Sequence, residues 1–133
     1  MRNLMIAIFA LAGAAGGCGK DSQSPGQGSG DPLSEAQVLF NTKCARCHGI
    51  DGGGNGPKAS GFHPRPRNYT DPAWQASVTD EQIKDVILRG GRNTGKSPAM
   101  PSSPTLRQRP EVLDGLVKLI RSFGKRPARD GRT

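Results

Sequence analysis

Apolar residues gather into three stretches of this chain that read as helices, and no stretch shows the strict alternation of a half-buried strand. In the first, Val38, Leu39 and Phe40 follow Ser34 and Gln37, whose spacing matches a capping box and predicts a helix from Ser34 that delivers Cys44 and Cys47. Thr79 and Gln82 repeat the box. Asp80 and Glu81 suit the helix N-terminus there, and Ile83, Val86 and Ile87 share one face. Gly90-Gly91 should stop this second helix. A third begins near Pro110, a good first helical residue, and carries Leu113, Leu116, Val117 and Ile120. Gly115 reads as its weak point and Gly124 as its end. Residues 49–75 and 92–109 read as loops, and no internal repeat is present. The pattern predicts an all-α domain with three main helices.

The chemistry lies at the end of the first helix, in Cys44-Ala45-Arg46-Cys47-His48. C-x-x-C-H reads as an attachment site for covalent haem. Two thiols three apart on a helical turn project from one face, so both can form thioethers with the two vinyl groups of one porphyrin. The adjacent imidazole then sits where it can bind the iron. A closed structural zinc site would need a fourth ligand, and no second Cys/His pair follows. A thioredoxin-like pair would want a βαβ setting, whereas the surroundings read as helical. One such motif predicts one haem per chain.

Composition agrees with a cofactor-filled interior. The 133 residues are 33% hydrophobic and 5% aromatic, with 19 Gly and 11 Pro, a thin core that a buried porphyrin would fill out. The third cysteine, Cys18, has its own explanation. Arg2 begins a short positive segment, Leu4 to Ala15 form an apolar run, and Ala15-Gly16-Gly17 lead into Cys18. The run is shorter than the about 20 residues needed to span a bilayer. This arrangement resembles a bacterial lipoprotein signal, which implies cleavage before Cys18 and lipidation there. It departs from that pattern in having Ala15 where Leu is usual. An ordinary cleavage near Ala12 or Ala14 would instead leave Cys18 as a free thiol. Residues 19–32 are rich in Gly, Ser, Gln, Asp and Pro and read as a coil-like tether with a reach of roughly 20 Å. The expected organisation is a signal peptide at 1–17, a lipid-anchored linker at 18–32, a haem domain at 33–124 and a basic disordered tail at 125–133.

Met100 lies in Pro98-Ala99-Met100-Pro101, outside any helical period, and is the one methionine beyond the expected leader. Two prolines restrict that loop and suit it to presenting a thioether from a fixed direction. His63 is the rival sixth ligand, and its Gly-, Pro- and Arg-containing surroundings read as solvent-facing. Taken in order, the first helix, C-x-x-C-H-G, a Gly/Pro-rich loop, a T-D-E-Q-I helix ending in Gly-Gly, Met-Pro and a final amphipathic helix resemble a small mono-haem c-type cytochrome of the His/Met-ligated class. The resemblance implies crossed N- and C-terminal helices and a haem wedged in a loop-lined crevice. It implies thioethers at Cys44 and Cys47, a proximal ligand at His48 and a distal ligand at Met100. A proline carbonyl orients the proximal histidine in that family. Pro57 matches it best, with Pro64 and Pro66 nearby. Phe40 matches the aromatic at the helix crossing, whereas Leu119 stands where an aromatic is frequent, so the crossing either packs less tightly or takes Phe123 in compensation. Tyr69 and Trp74 either line the haem edge, through a propionate bond or packing, or close the Pro-rich loop on the core. Arg65 and Arg67 either pair propionates or form a solvated basic loop.

The expected function is single-electron transfer rather than catalysis, because His/Met ligation leaves no open position on iron. A net charge of +8, with 13 basic and 8 acidic side chains over 33–124, suits redox donors and acceptors with acidic docking surfaces. Nothing resembles a nucleic-acid module, and a monomer is expected. Since c-type haem is attached outside the cytoplasmic membrane in bacteria, the expected location is the periplasmic side of the cell envelope. Lipid at Cys18 would hold the protein there, and a soluble periplasmic form is the alternative. A haem enzyme or gas sensor with a displaceable sixth ligand is the competing function. A haem-free lipoprotein with a Cys44–Cys47 disulfide is a third.

Overall fold

The computed structural model describes residues 30–125. The expected leader, Cys18, nearly all of the tether and the tail beyond Lys125 lie outside them. Every regular element among the described residues is helical. Helix α1 (Pro32–Leu39) passes through a π turn at Phe40–Cys44 into α2 (Ala45–His48), making one rod that ends at the C-x-x-C-H motif. It starts two residues before the expected Ser34. Pro32 supplies a φ already suited to the first helical position, and Asp31 occupies the N-cap without a side-chain cap bond. Ser34 therefore sits inside the first turn, and the expected Ser34/Gln37 box does not form. The buried face is also narrower than expected. Ala36 and Phe40, four apart, are buried, whereas Val38 is 60% exposed, because three consecutive residues cannot share one helical face.

Helix α5 (Pro110–Gly124) buries Val112, Leu113, Leu116, Val117, Ile120 and Phe123. This includes the expected stripe and extends it at both ends. It crosses α1 at Gly115, where a Cβ would lie 2.8 Å from the Ala36 Cβ and 2.9 Å from the Pro32 carbonyl oxygen. Gly115 is the point of closest approach, not a weak point. Just beyond it, the Phe40 and Phe123 rings meet at 5.1 Å and 44°. Leu119 is only partly buried against the core, so Phe123 supplies the second aromatic of the crossing.

The expected loop over residues 49–75 runs into a further helix, α3 (Pro72–Ser77). Asp71 caps it by accepting from the Ala73 and Trp74 amides, and Pro72 takes the first position. Helix α4 (Asp80–Arg89) follows with the predicted capping box fully formed. Gly90, at φ 76°, ends it as expected. The Gly91 amide then donates to the Met100 carbonyl at 3.0 Å, and the Ser103 amide to the Ile87 carbonyl at 2.9 Å. The loop carrying Met100 is thereby fastened to the end of α4.

Candidate functional site

These elements enclose one deep cleft of about 850 Å³. The π turn and α2 contribute Cys44, Cys47 and His48, α4 contributes Ile83, Val86 and Ile87, and the far side carries Met100. Tyr69, Trp74, Leu116 and Ile120 complete much of the remaining wall. The cleft thus gathers two thiols, an imidazole and a thioether within largely apolar walls. Residues 62 and 64–67 line it as well, while His63 is exposed and does not.

His48 is 8% exposed, and both ring nitrogens are engaged. Nδ1 lies 3.1 Å from the Arg67 carbonyl oxygen. A carbonyl only accepts, so Nδ1 carries the proton and Nε2 holds the free lone pair. The Tyr69 hydroxyl donates to Nε2 at 3.2 Å, and the two rings stack at 4.5 Å and 12°. Burial holds the imidazole below its usual pKa, against the Arg67 carbonyl, which raises it. The ring is therefore neutral near pH 7, the form that can coordinate a metal. Burial also pushes the Tyr69 phenol up, keeping it a donor.

The carbonyl expected from Pro57 comes from Arg67 instead. Pro57 follows too closely on α2 and lines a separate recess with Asn41, Ala45 and Gly56. The extended segment after Pro64 is what returns across the imidazole. No sequence signal marks such a partner, because a backbone carbonyl has no side-chain signature.

The Cys44 thiol differs from the nucleophile of a redox dithiol. Burial first, and then the neighbouring Cys47, pushes Cys44 up to about 11. A nucleophilic cysteine shows the opposite shift. Cys44 and Cys47 are both partly exposed and unbridged. Among the described residues no group of three or more His, Cys, Asp or Glu side chains is placed to hold a metal, which leaves the zinc reading without its ligand set.

Both aromatics named from sequence reach the site. Tyr69 is buried with its ring 5.3 Å from that of Trp74, which is partly buried on α3. Lys43, Arg65, Arg67, Arg89 and Lys96 also line the cleft. Arg67 pairs with Asp71 at 3.9 Å and Arg89 with Asp85 at 2.7 Å, both in exposed positions.

A cytochrome c from Theileria annulata is 46% identical to this chain over 48 residues, which are 34% of this chain and 41% of that protein. The likeness spans about two fifths of that relative's length. The cytochrome c family itself matches residues 33–123, a span that begins in α1, takes in the whole cleft and ends in α5. On that match the chain belongs to the cytochrome c family, whose cofactor is covalently bound haem c.

Proposed function

We propose that this protein is a single-electron carrier whose haem is bound through Cys44 and Cys47, with His48 as proximal and Met100 as distal ligand. The observation that carries this reading is the convergence of these four side chains on one apolar cleft, with Nδ1 of His48 already committed to a carbonyl and Nε2 left as the basic nitrogen. The donor set fits the cofactor. Thiols three apart suit its two vinyl groups, and imidazole with thioether suits low-spin iron. Bound haem supplies a one-electron couple at iron without a change of ligands.

The protein side of the work is positioning. Arg67 fixes the tautomer and orientation of His48, as acceptors behind metal-bound histidines do. One lone pair on Nε2 serves one partner, so iron ligation and the Tyr69 hydrogen bond exclude each other. Met100 is held by backbone bonds on both sides, its amide donating to the Ser97 carbonyl at 3.1 Å and its carbonyl accepting from Gly91. Its thioether therefore meets the cleft from a defined direction. The apolar walls exclude water and favour the less charged reduced iron, as thioether ligation also does.

The proposed partners are a redox donor and acceptor with acidic surfaces, because basic side chains outnumber acidic ones at the cleft. We place the protein on the periplasmic side of a bacterial envelope, tethered by lipid at Cys18, as a monomer without catalytic activity. Met100→Ala tests the axial pair. The expected result is loss of the sulfur-to-iron charge-transfer band, a lower potential and new binding of small exogenous ligands. An unchanged oxidised spectrum and potential would remove Met100 from the iron. A wild-type protein with a high-spin spectrum would favour an enzyme or sensor.

A further inference from the structure

We propose that Gln75 and Arg121, which bond to none of the four side chains proposed to hold the haem, are positioning residues for His48. The inference rests on the reading of His48 as the proximal ligand and adds what holds that ligand's acceptor in place. The Arg67 carbonyl belongs to an extended segment with no helix or sheet to brace it. Two residues on, that segment is fixed at Tyr69 from both sides. The Tyr69 amide donates to the Gly52 carbonyl at 2.7 Å, and the Tyr69 carbonyl accepts from Gln75 Nε2 at 2.7 Å.

Gln75 is in turn held by α5. Its second amide proton goes to the Ile120 carbonyl at 2.9 Å, and its Oε1 accepts from Arg121 Nη1 at 3.0 Å. Both donors and the acceptor of the side chain are engaged, which fixes the orientation of the amide. The close fit needs the glycine at 124, where a Cβ would lie 2.5 Å from Gln75 Cγ.

Arg121 completes the frame. Nη1 also donates to the Gln75 carbonyl, Nη2 to the Val78 carbonyl and Nε to Asp80 Oδ1, each at 2.7 Å. The guanidinium, 24% exposed, keeps its bonds to Gln75 and Val78 partly buried and leaves the pair with Asp80, 52% exposed, at the surface. It caps the C-terminal end of α3 from a different helix and locks the α3–α4 corner onto α5. A continuous set of bonds then runs from α5 through Arg121, Gln75 and the Tyr69 backbone to the segment whose carbonyl faces His48 Nδ1.

The consequence for electron transfer has a definite sign. A carbonyl acceptor behind a metal-bound imidazole makes the ring a stronger donor, which favours oxidised iron. Loosening the Arg67 carbonyl weakens that donation, and the reduction potential rises.

The test uses haem-loaded Gln75→Met, which keeps the length and neutrality of the side chain and removes all three of its side-chain hydrogen bonds. Solvent exchange of the His48 Nδ1 proton in the reduced protein should accelerate roughly tenfold, the scale of a lost hydrogen bond or two. The potential should rise, with the Met100 charge-transfer band retained. Asp80→Asn, which removes only the exposed ion pair, should leave both readouts at wild-type values. Should Gln75→Met fail to fold, Arg121→Lys keeps a cation beside Asp80 while losing the fork onto Gln75, and should shift both readouts less in the same direction. A folded Gln75→Met or Arg121→Lys with unchanged exchange and potential overturns the positioning role. Absence of haem-shifted His48 ring resonances in the wild-type protein would overturn the proximal-ligand reading itself.

Discussion

Replacing Gly115 by alanine separates two arguments that give opposite signs. On helix propensity alone, an interior glycine is less favourable than alanine by about 1 kcal/mol, so Gly115→Ala should stabilise the protein. The crossing of α1 and α5 argues otherwise. The new Cβ would lie 2.8 Å from the Ala36 Cβ and 2.9 Å from the Pro32 carbonyl oxygen, well inside ordinary contact distance. Ala36 is fully buried and Pro32 contributes backbone, so neither can swing aside as a flexible side chain would. Overpacking of this kind costs about 1–3 kcal/mol. Set against the propensity gain, the expected net effect is a loss of about 1 kcal/mol for alanine and more for valine. Equilibrium denaturant unfolding of the haem-loaded protein, followed by helical circular dichroism, measures it as a lower midpoint at unchanged slope. Ala36→Gly removes one of the two clashes but carries its own helix cost, so the double variant should lose less than the sum of the two single variants. A single Gly115→Ala variant more stable than wild type would refute the close-packed crossing.

Three further outcomes follow from the site and the termini. Cys44→Ser should leave a haem held by one thioether and partly lost to acidified organic solvent, while wild-type haem stays with the protein; equal retention would remove Cys44 from the attachment. Because an apolar cleft of about 850 Å³ lies at the centre of the domain, the chain before haem attachment should be largely unfolded, with slight helical dichroism and no cooperative melt. A sharp melt of the apoprotein would contradict this. Cys18→Ser should block processing or release a soluble haem protein with an unchanged spectrum, since acyl chains contribute about 0.8 kcal/mol per buried methylene to membrane binding. An intact mass showing an unmodified Cys18 thiol would rule out the anchor.

What could be read from the sequence was whatever rests on side chains close together in the chain. The Thr79/Gln82 box, the Gly90 stop and the α5 stripe are local signals, and the structure has each where the pattern puts it. The Ser34/Gln37 spacing matched the same motif and failed, because Pro32 starts the helix earlier. Helix α3 lies in a stretch that reads as loop, although Asp71-Pro72 is a cap followed by a first-turn proline and so carries a local helix signal. The π turn at Phe40–Cys44 and the Arg67 carbonyl leave no residue-type signature. The role of Gly115 escapes the sequence for a related reason. Propensity describes a helix alone, while its value here is set by a neighbour some 80 residues away in the chain.

The same distinction accounts for the abundance of glycine, which in composition looks like a weakness of the core. His48 ends α2, and Gly49 at φ 78° turns the chain so that the Gly54 amide can return to the His48 carbonyl at 2.7 Å. On the opposite wall, Gly90 at φ 76° ends α4 and lets the Met100 loop lie against the helix end, with Gly91 holding the Met100 carbonyl. A Cβ at Gly90 would stand 2.8 Å from the Ser102 amide nitrogen and 3.0 Å from the Met100 carbonyl oxygen. Both candidate ligands therefore sit where a helix end and a returning loop constrain each other. The proposed role as a carrier fits that arrangement, because ligand motion would have to be repeated at every electron transfer. The haem supplies apolar contact that these glycines cannot, and the glycines supply close backbone approach that larger residues would prevent.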